Sequence, residues 1–163
     1  MTFCTDRRWL LPVQVCSFVL ESCLHDNGTK YDLRVAVVMP DHVHVIFTPL
    51  IDYEVREVCS LAEIMNAIKG ASAHKINKLL RRKGRLWQPE SFDHVLRSSE
   101  GPDAKIQYVL ENPVRRGLVA EWTDYPWMWR KDFVNPFASG RVAARIAELR
   151  SADSRGRLSP HKL

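Results

Sequence analysis

The chain alternates between two hydrophobic periods, and the changes of period mark its elements. Near helical spacing, Val13, Val15, Cys16, Val19, Leu20, Cys23 and Leu24 follow Pro12 and end at Asn27-Gly28. This predicts a first helix over about Pro12 to His25. Before it, residues 2–5 (TFCT) read as the end of a short strand that closes at the charged corner Asp6-Arg7-Arg8. After it, the β-branched run LRVAVVM, residues 33–39, and HVHVIFTPL, residues 42–50, flank Pro40-Asp41 and predict a tight antiparallel hairpin. Helical spacing returns in residues 60–80, where Ser60 stands three before Glu63 as a capping box.

Gly84 ends that second helix, and SFDHVLR, residues 91–97, reads as another strand. Pro102 opens a third helix, carried by AKIQYVLEN and stopped by Pro113. Residues 121–133 carry Trp122, Trp127 and Trp129 and are expected to pack across an open edge or face. Beyond them a short helix is expected at residues 141–150, then a disordered basic end. The order strand, helix, strand, strand, helix, strand, helix is that of an α+β, ferredoxin-like (split βαβ) sandwich with a central antiparallel sheet and helices on one face. One domain is expected over residues 1–133, followed by a basic tail over 134–163.

Composition narrows the partner. The chain has 163 residues, 45% of them hydrophobic, with a formal net charge of +5 and a pI near 9.2. That is enough for one ordinary core, and the excess of clustered cations favours a polyanion, nucleic acid before membrane. Cys4, Cys16, Cys23 and Cys59 form no CxxC pair and read as buried free thiols of a reducing compartment. The start lacks an apolar targeting segment and no stretch is long enough to span a bilayer, so a cytoplasmic protein is expected.

The candidate chemistry starts in MPDHVHVIF. In a strand His42 and His44 project from one side while Val43 and Val45 point to a core, so two imidazoles converge where a divalent metal can sit. A third ligand has to come from elsewhere, and Asn112 stands four residues after Tyr108, on the same face of the third helix. A phenol beside such a metal in a basic cleft is arranged to attack a phosphodiester. The cations form a run without acids between Ile64 and Pro89: Lys69, Lys75, Lys78, Arg81, Arg82, Lys83 and Arg85. Such a run is as often a solvated helix face as a phosphate-binding surface. Trp87 and Phe92 lie beside it, where aromatics either stack on unpaired bases or join the core.

These residues carry a resemblance. MPDHVHVIF matches the His-hydrophobic-His motif of the HUH single-strand nucleases, and the wider pattern resembles the Y1 transposases of the IS200 type. SLAEIMNAIKGASAHKIN, LWQPESFDHVLR and IQYVLENPVRRGLV follow in the family's order, so the resemblance covers roughly residues 2–129. The ending YVLENPVRRGLV is similar to the REP-associated tyrosine transposases, whose tyrosine precedes an Asn-Pro. The resemblance implies Tyr108 as nucleophile and His42, His44 and Asn112 as ligands of magnesium or manganese. It also implies cleavage of single-stranded DNA beside palindromic hairpins, through a 5′-phosphotyrosine. Lys69 to Arg85, Trp87, Arg115 and Arg116 are then the expected nucleic-acid contacts. His94 is a weaker candidate for lining the site. A complete set of site residues in one chain makes a monomer the expectation over a homodimer.

The competing class is a non-catalytic module that holds single strands on a ferredoxin-like sheet with Trp87, Phe92 and the basic run. It predicts binding that survives chelation and loss of Tyr108. A larger replication initiator or relaxase of the same superfamily calls for a longer chain or paired tyrosines.

Overall fold

A computed structural model of the chain describes residues 1–52, 57–93 and 101–133. In order these form β1 (Thr2–Cys4), α1 (Val13–His25), β2 (Tyr31–Val38), β3 (His42–Pro49), β4 (Ile51–Asp52), β5 (Glu57–Val58), α2 (Leu61–Leu79), α3 (Pro102–Leu110), α4 (Asn112–Arg115) and β6 (Met128–Arg130). Four strands make one sheet in the order β1-β3-β2-β6, and each neighbouring pair is antiparallel. The α+β sandwich and its central antiparallel sheet are as the order of elements predicts. β4 and β5 pair as a separate two-stranded ribbon that the sequence does not signal, because strands of two residues have no alternation to read.

One detail of the expected architecture is corrected: the helices do not share a face. Phe3, Val43, Val45, Leu33, Ala36 and Val38 pack with residues of α1 and α2 such as Val15, Val19, Ile64 and Ile68. On the opposite face Val35, Val37 and Met39 pack with Ile106, Val109 and Leu110 of α3 and with Tyr125 and Met128. The cause lies in β2, whose residues from Val35 to Val38 are all fully buried, so an apolar strand needs a cover on both sides. A register shift between Leu33 and Val35 leaves the exposed Arg34 as the extra residue and keeps Leu33 and Val35 on opposite faces.

The ends of the elements follow from local chemistry. Ser60 and Glu63 form the expected reciprocal capping box at the start of α2. The tryptophan segment crosses the β2 edge as expected: β6 pairs with it from Val35↔Arg130 to Val37↔Met128, and the buried Tyr125 hydroxyl donates to the Val38 carbonyl at 2.7 Å. On the other edge, Phe92 bridges Thr2 and Trp87 bridges Thr5. The remainder of the strand expected at 91–97, His94 included, and the tail expected from 134 lie outside the described residues. Cys4, Cys16 and Cys23 are buried free thiols and Cys59 is half-buried. Burial pushes the Cys16 and Cys23 thiols up to about 12, which makes them inert packing groups. Among the described residues no helix is long and apolar enough to cross a membrane.

Candidate metal and nucleophile site

Strand alternation puts the two histidines of β3 on the α3 side of the sheet, because Val43 and Val45 belong to the α1/α2 core. Their rings stand nearly perpendicular, 83° between planes, with the two Nε2 atoms 3.1 Å apart. Each Nδ1 is engaged behind the ring. His42 Nδ1 meets Asp41 Oδ1 at 2.6 Å, and His44 Nδ1 meets Thr2 Oγ1 at 2.8 Å. The second contact exists because β1 pairs with β3 in a register that sets Thr2 opposite His44 and Cys4 opposite His42.

The electrostatics favour a neutral His44. Burial, reinforced by His42 and by the charges of Lys105 and Arg115, pushes the His44 imidazole down to about 4. Burial alone would raise the Asp41 carboxyl, but the hydrogen bond with His42 and the charges of Arg8 and Arg116 outweigh it and hold it below the usual range. Arg8 reaches the other Asp41 oxygen at 3.0 Å. Two nitrogens bound at about 2.1 Å to one ion with a right angle between them stand about 3.0 Å apart, so the observed spacing fits a chelating pair. Among the described residues no third His, Cys, Asp or Glu joins them.

α3 carries Tyr108 on its exposed side, with Ile106, Val109 and Leu110 buried against the sheet. Two cations lie against the Tyr108 ring. The Arg115 guanidinium lies 4.0 Å from its centroid and the Lys105 ammonium 5.5 Å. Arg115 also donates to the Tyr108 carbonyl. An open depression of about 380 Å³ is lined by Gly101, Ala104, Lys105 and Tyr108. Asn112 opens α4, and its Nδ2 donates to the carbonyls of Tyr108 at 3.2 Å and Val109 at 3.1 Å. With the amino end so occupied, Oδ1 is the end of that amide directed away from the helix carbonyls. Lys105 and Arg115, which lie against the Tyr108 ring, also carry charges that disfavour a protonated His44.

The expected nucleic-acid contacts divide. Lys78, Arg81, Lys83, Arg85, Arg115 and Arg116 are exposed. Lys69 is turned inward: its Nζ donates to the Pro89 carbonyl at 2.8 Å and to Ser91 Oγ at 3.3 Å, and burial pushes its pKa down. Lys75 reaches Glu21 of α1 at 3.7 Å, and Arg82 stacks over Trp9 while bonding Asn77 and the Arg85 carbonyl. Trp87 is corrected outright. It is 4% exposed, packs edge-on against Phe3 at 4.9 Å and donates its indole N–H to Ser72 Oγ at 3.0 Å, so its faces are closed to a base. Phe92, 62% exposed, is the aromatic that faces solvent.

Three site residues escape a reading of the sequence. Asp41 carries a faint signal, an acid directly before the motif, whereas Lys105 is visible only as a cation one helical turn before Tyr108. Thr2 has none, because its partner is 42 residues away.

Comparison with known proteins places this geometry. The family model for IS200-like transposases matches residues 1–110, which includes both histidines and Tyr108. The chain is similar to the REP-associated tyrosine transposase of Escherichia coli K12, 26% identical over 97 residues that make up 60% of this chain and 53% of the relative. It is also similar to a putative REP-associated tyrosine transposase of Haemophilus influenzae, 22% identical over 111 residues, 66% of this chain and 61% of the relative. It thus spans between half and two thirds of the length of these curated relatives. A solved structure of a REP-associated tyrosine transposase bound to a REP hairpin superposes with a TM-score of 0.60 at 19% identity, covering 99% of this chain and 82% of that one, which is a likeness of fold. A family model that spans well over half the sequence, with the motif residues inside it, identifies the chain as a member of the IS200-like transposase family.

Proposed function

We propose that the protein is a metal-dependent single-stranded DNA nuclease and strand transferase that cleaves beside hairpins through a phosphotyrosine. The observation that carries this reading is the pair of Nε2 atoms 3.1 Å apart on the face of the sheet covered by the helix of Tyr108. His42 and His44 would hold a divalent ion, with Asn112 Oδ1 as third donor, and the lowered pKa of His44 suits ligation. Magnesium or manganese bound there would polarise a non-bridging phosphate oxygen.

The rest is the work of the chain. Tyr108 Oη attacks the phosphorus as its proton passes to solvent; the new Oη–P bond forms as the P–O3′ bond breaks. The electron pair leaves with the 3′ oxygen, which takes a proton to become a free 3′ hydroxyl. The DNA end stays attached through its 5′ phosphate until a hydroxyl reverses the step. Lys105 and Arg115, both beside the ring, neutralise the phosphate that approaches it. Exposed cations at Lys78, Arg81, Lys83, Arg85 and Arg116 hold the flanking backbone without reading its sequence. The family's hairpin-bound relative supports a palindromic hairpin as the partner.

The test uses labelled single-stranded hairpin oligonucleotides from the repeats flanking the gene, incubated with manganese or magnesium. A denaturant-resistant adduct is expected, and it is lost with chelator and with Tyr108→Phe. No adduct with any flanking strand, or an undiminished adduct in the variant, overturns the reading. Hairpin binding without an adduct, unchanged by chelator and by Tyr108→Phe, would identify the non-catalytic module instead.

A further inference from the structure

Among the described residues two aromatic side chains stand open to solvent, Tyr108 at 54% exposure and Phe92 at 62%, and they come from opposite sides of the histidine pair. Tyr108 is carried by α3, whose buried side packs on Val35 and Val37 of β2. Phe92 belongs to the other edge of the sheet. Its N–H donates to the Thr2 carbonyl and its carbonyl accepts from the Thr2 N–H, each at 2.7 Å, in an antiparallel bridge. Residues paired in this way share a face of the sheet, so Phe92 is on the face of Thr2. Thr2 in turn pairs with His44, and His44 with Val37. Phe92, Thr2, His44 and Val37 therefore form one row across the sheet, with α3 at the Val37 end.

Antiparallel partners stand about 4.5 to 5.5 Å apart at Cα, so two steps along the row put Phe92 about 10 Å from His44. One sugar and its base bridge that span from a phosphate held at the histidines. In an in-line displacement the attacking and leaving oxygens take opposite sides of the phosphorus. With Tyr108 attacking from the α3 side, the 3′ oxygen departs toward β1, and its nucleotide is directed at Phe92. From this row we infer that Phe92 is the stacking platform for the base immediately 5′ of the cleaved bond, on the nucleotide that leaves with the free 3′ hydroxyl. A phenyl ring offers a face and no hydrogen bond, so it grips a base without reading its edge. A single exposed phenylalanine is ordinary by itself. This one is set on a backbone fixed at several points: the bridge to Thr2, the Gln88 N–H on the Cys4 carbonyl at 2.9 Å, and Lys69, whose Nζ binds the Pro89 carbonyl and Ser91 Oγ. A platform already in place leaves less to be ordered when the base arrives.

This role for Phe92 rests on the cleavage reading above, and the experiment separates the two. The cut is mapped on a flanking hairpin strand with manganese, and the base on either side of it is then removed in turn as an abasic nucleotide. Single-turnover adduct formation is followed below saturation with the full parent chain and with Phe92→Ala. Loss of the 5′ base slows the parent about tenfold, and Phe92→Ala slows the intact strand by the same factor. Together these two changes cost no more than either alone, whereas loss of the 3′ base and Phe92→Ala multiply. Phe92→Trp keeps the parent rate, while Phe92→Leu, with apolar bulk but no ring, stays slow. If Phe92→Ala loses its thermal transition, Phe92→Leu takes its place in the cycle. A parent rate in the ringless variant, or effects that multiply at the 5′ base, overturns the role of Phe92 and leaves the nuclease reading standing. No adduct from the parent chain with any flanking strand overturns both.

Discussion

β3 has two sides with opposite duties. Toward α1 and α2 it presents Val43 and Val45, both fully buried in an apolar cluster, while toward α3 it presents His42 and His44, joined to polar neighbours by hydrogen bonds. One side is held by burial, about 25 cal/mol per Å² of apolar surface removed from water. The other holds its geometry by direction: nitrogen to oxygen, across strands and along the chain. The lesson is that a site built on a strand of the central sheet takes its rigidity from the face it does not use. Changes on the two sides should therefore separate stability from chemistry.

The largest effect should come from crossing the two sides. Val45→Asp puts a carboxylate without a partner into the apolar cluster and is expected to cost about 4 kcal/mol or more, enough to abolish the cooperative thermal transition. His44→Ala, one residue earlier, should cost about 1 kcal/mol in denaturant unfolding and yet remove the adduct. A folded Val45→Asp, or a His44→Ala chain that keeps its adduct, would erase the division. A smaller effect tests Trp87, which stands on the stability side. Trp87→Phe loses the bond to Ser72 Oγ and is expected to cost about 1 kcal/mol with hairpin affinity unchanged. A tenfold drop in affinity at constant fold would return the residue to the DNA-binding side.

The smallest lies in the cap of α2. Ser60→Ala is expected to cost about 0.5 kcal/mol at neutral pH, read by chemical denaturation. Hydrogen bonds from Ser60 hold the Glu63 carboxyl below its ordinary value, so its share of the cap is complete above about pH 4.5 and fades as pH falls further. The gap between the variant and the parent chain should narrow below that pH; a constant gap would remove Glu63 from the account.

The sequence made the strand and helix periods legible, and with them the histidine pair, since alternation alone puts two residues of HVH on one side. Tyr108 and Asn112 were legible by helical spacing, and their roles only through the family resemblance. Two-sided burial was also written in LRVAVV, a continuous apolar run rather than an alternating one, and the expectation of helices on one face passed over it. Trp87 is not decidable from the sequence, because a tryptophan next to cations has the same local sequence whether its ring faces solvent or Ser72. Thr2 and Lys69 depend on contacts with residues far along the chain, Thr2 with His44 and Lys69 with Pro89, and no local pattern encodes such a pairing.

The Asn112 amide carries one more consequence. Its Nδ2 ties it to the carbonyls of Tyr108 and Val109, and Arg115 binds the same Tyr108 carbonyl. Phenol and amide are thereby parts of one helix end, so fraying of that turn unloads both together and neither drifts alone. Backbone amide exchange at Arg115, Arg116 and Gly117, whose N–H groups bond within that turn, then reports the fraction of molecules ready to react.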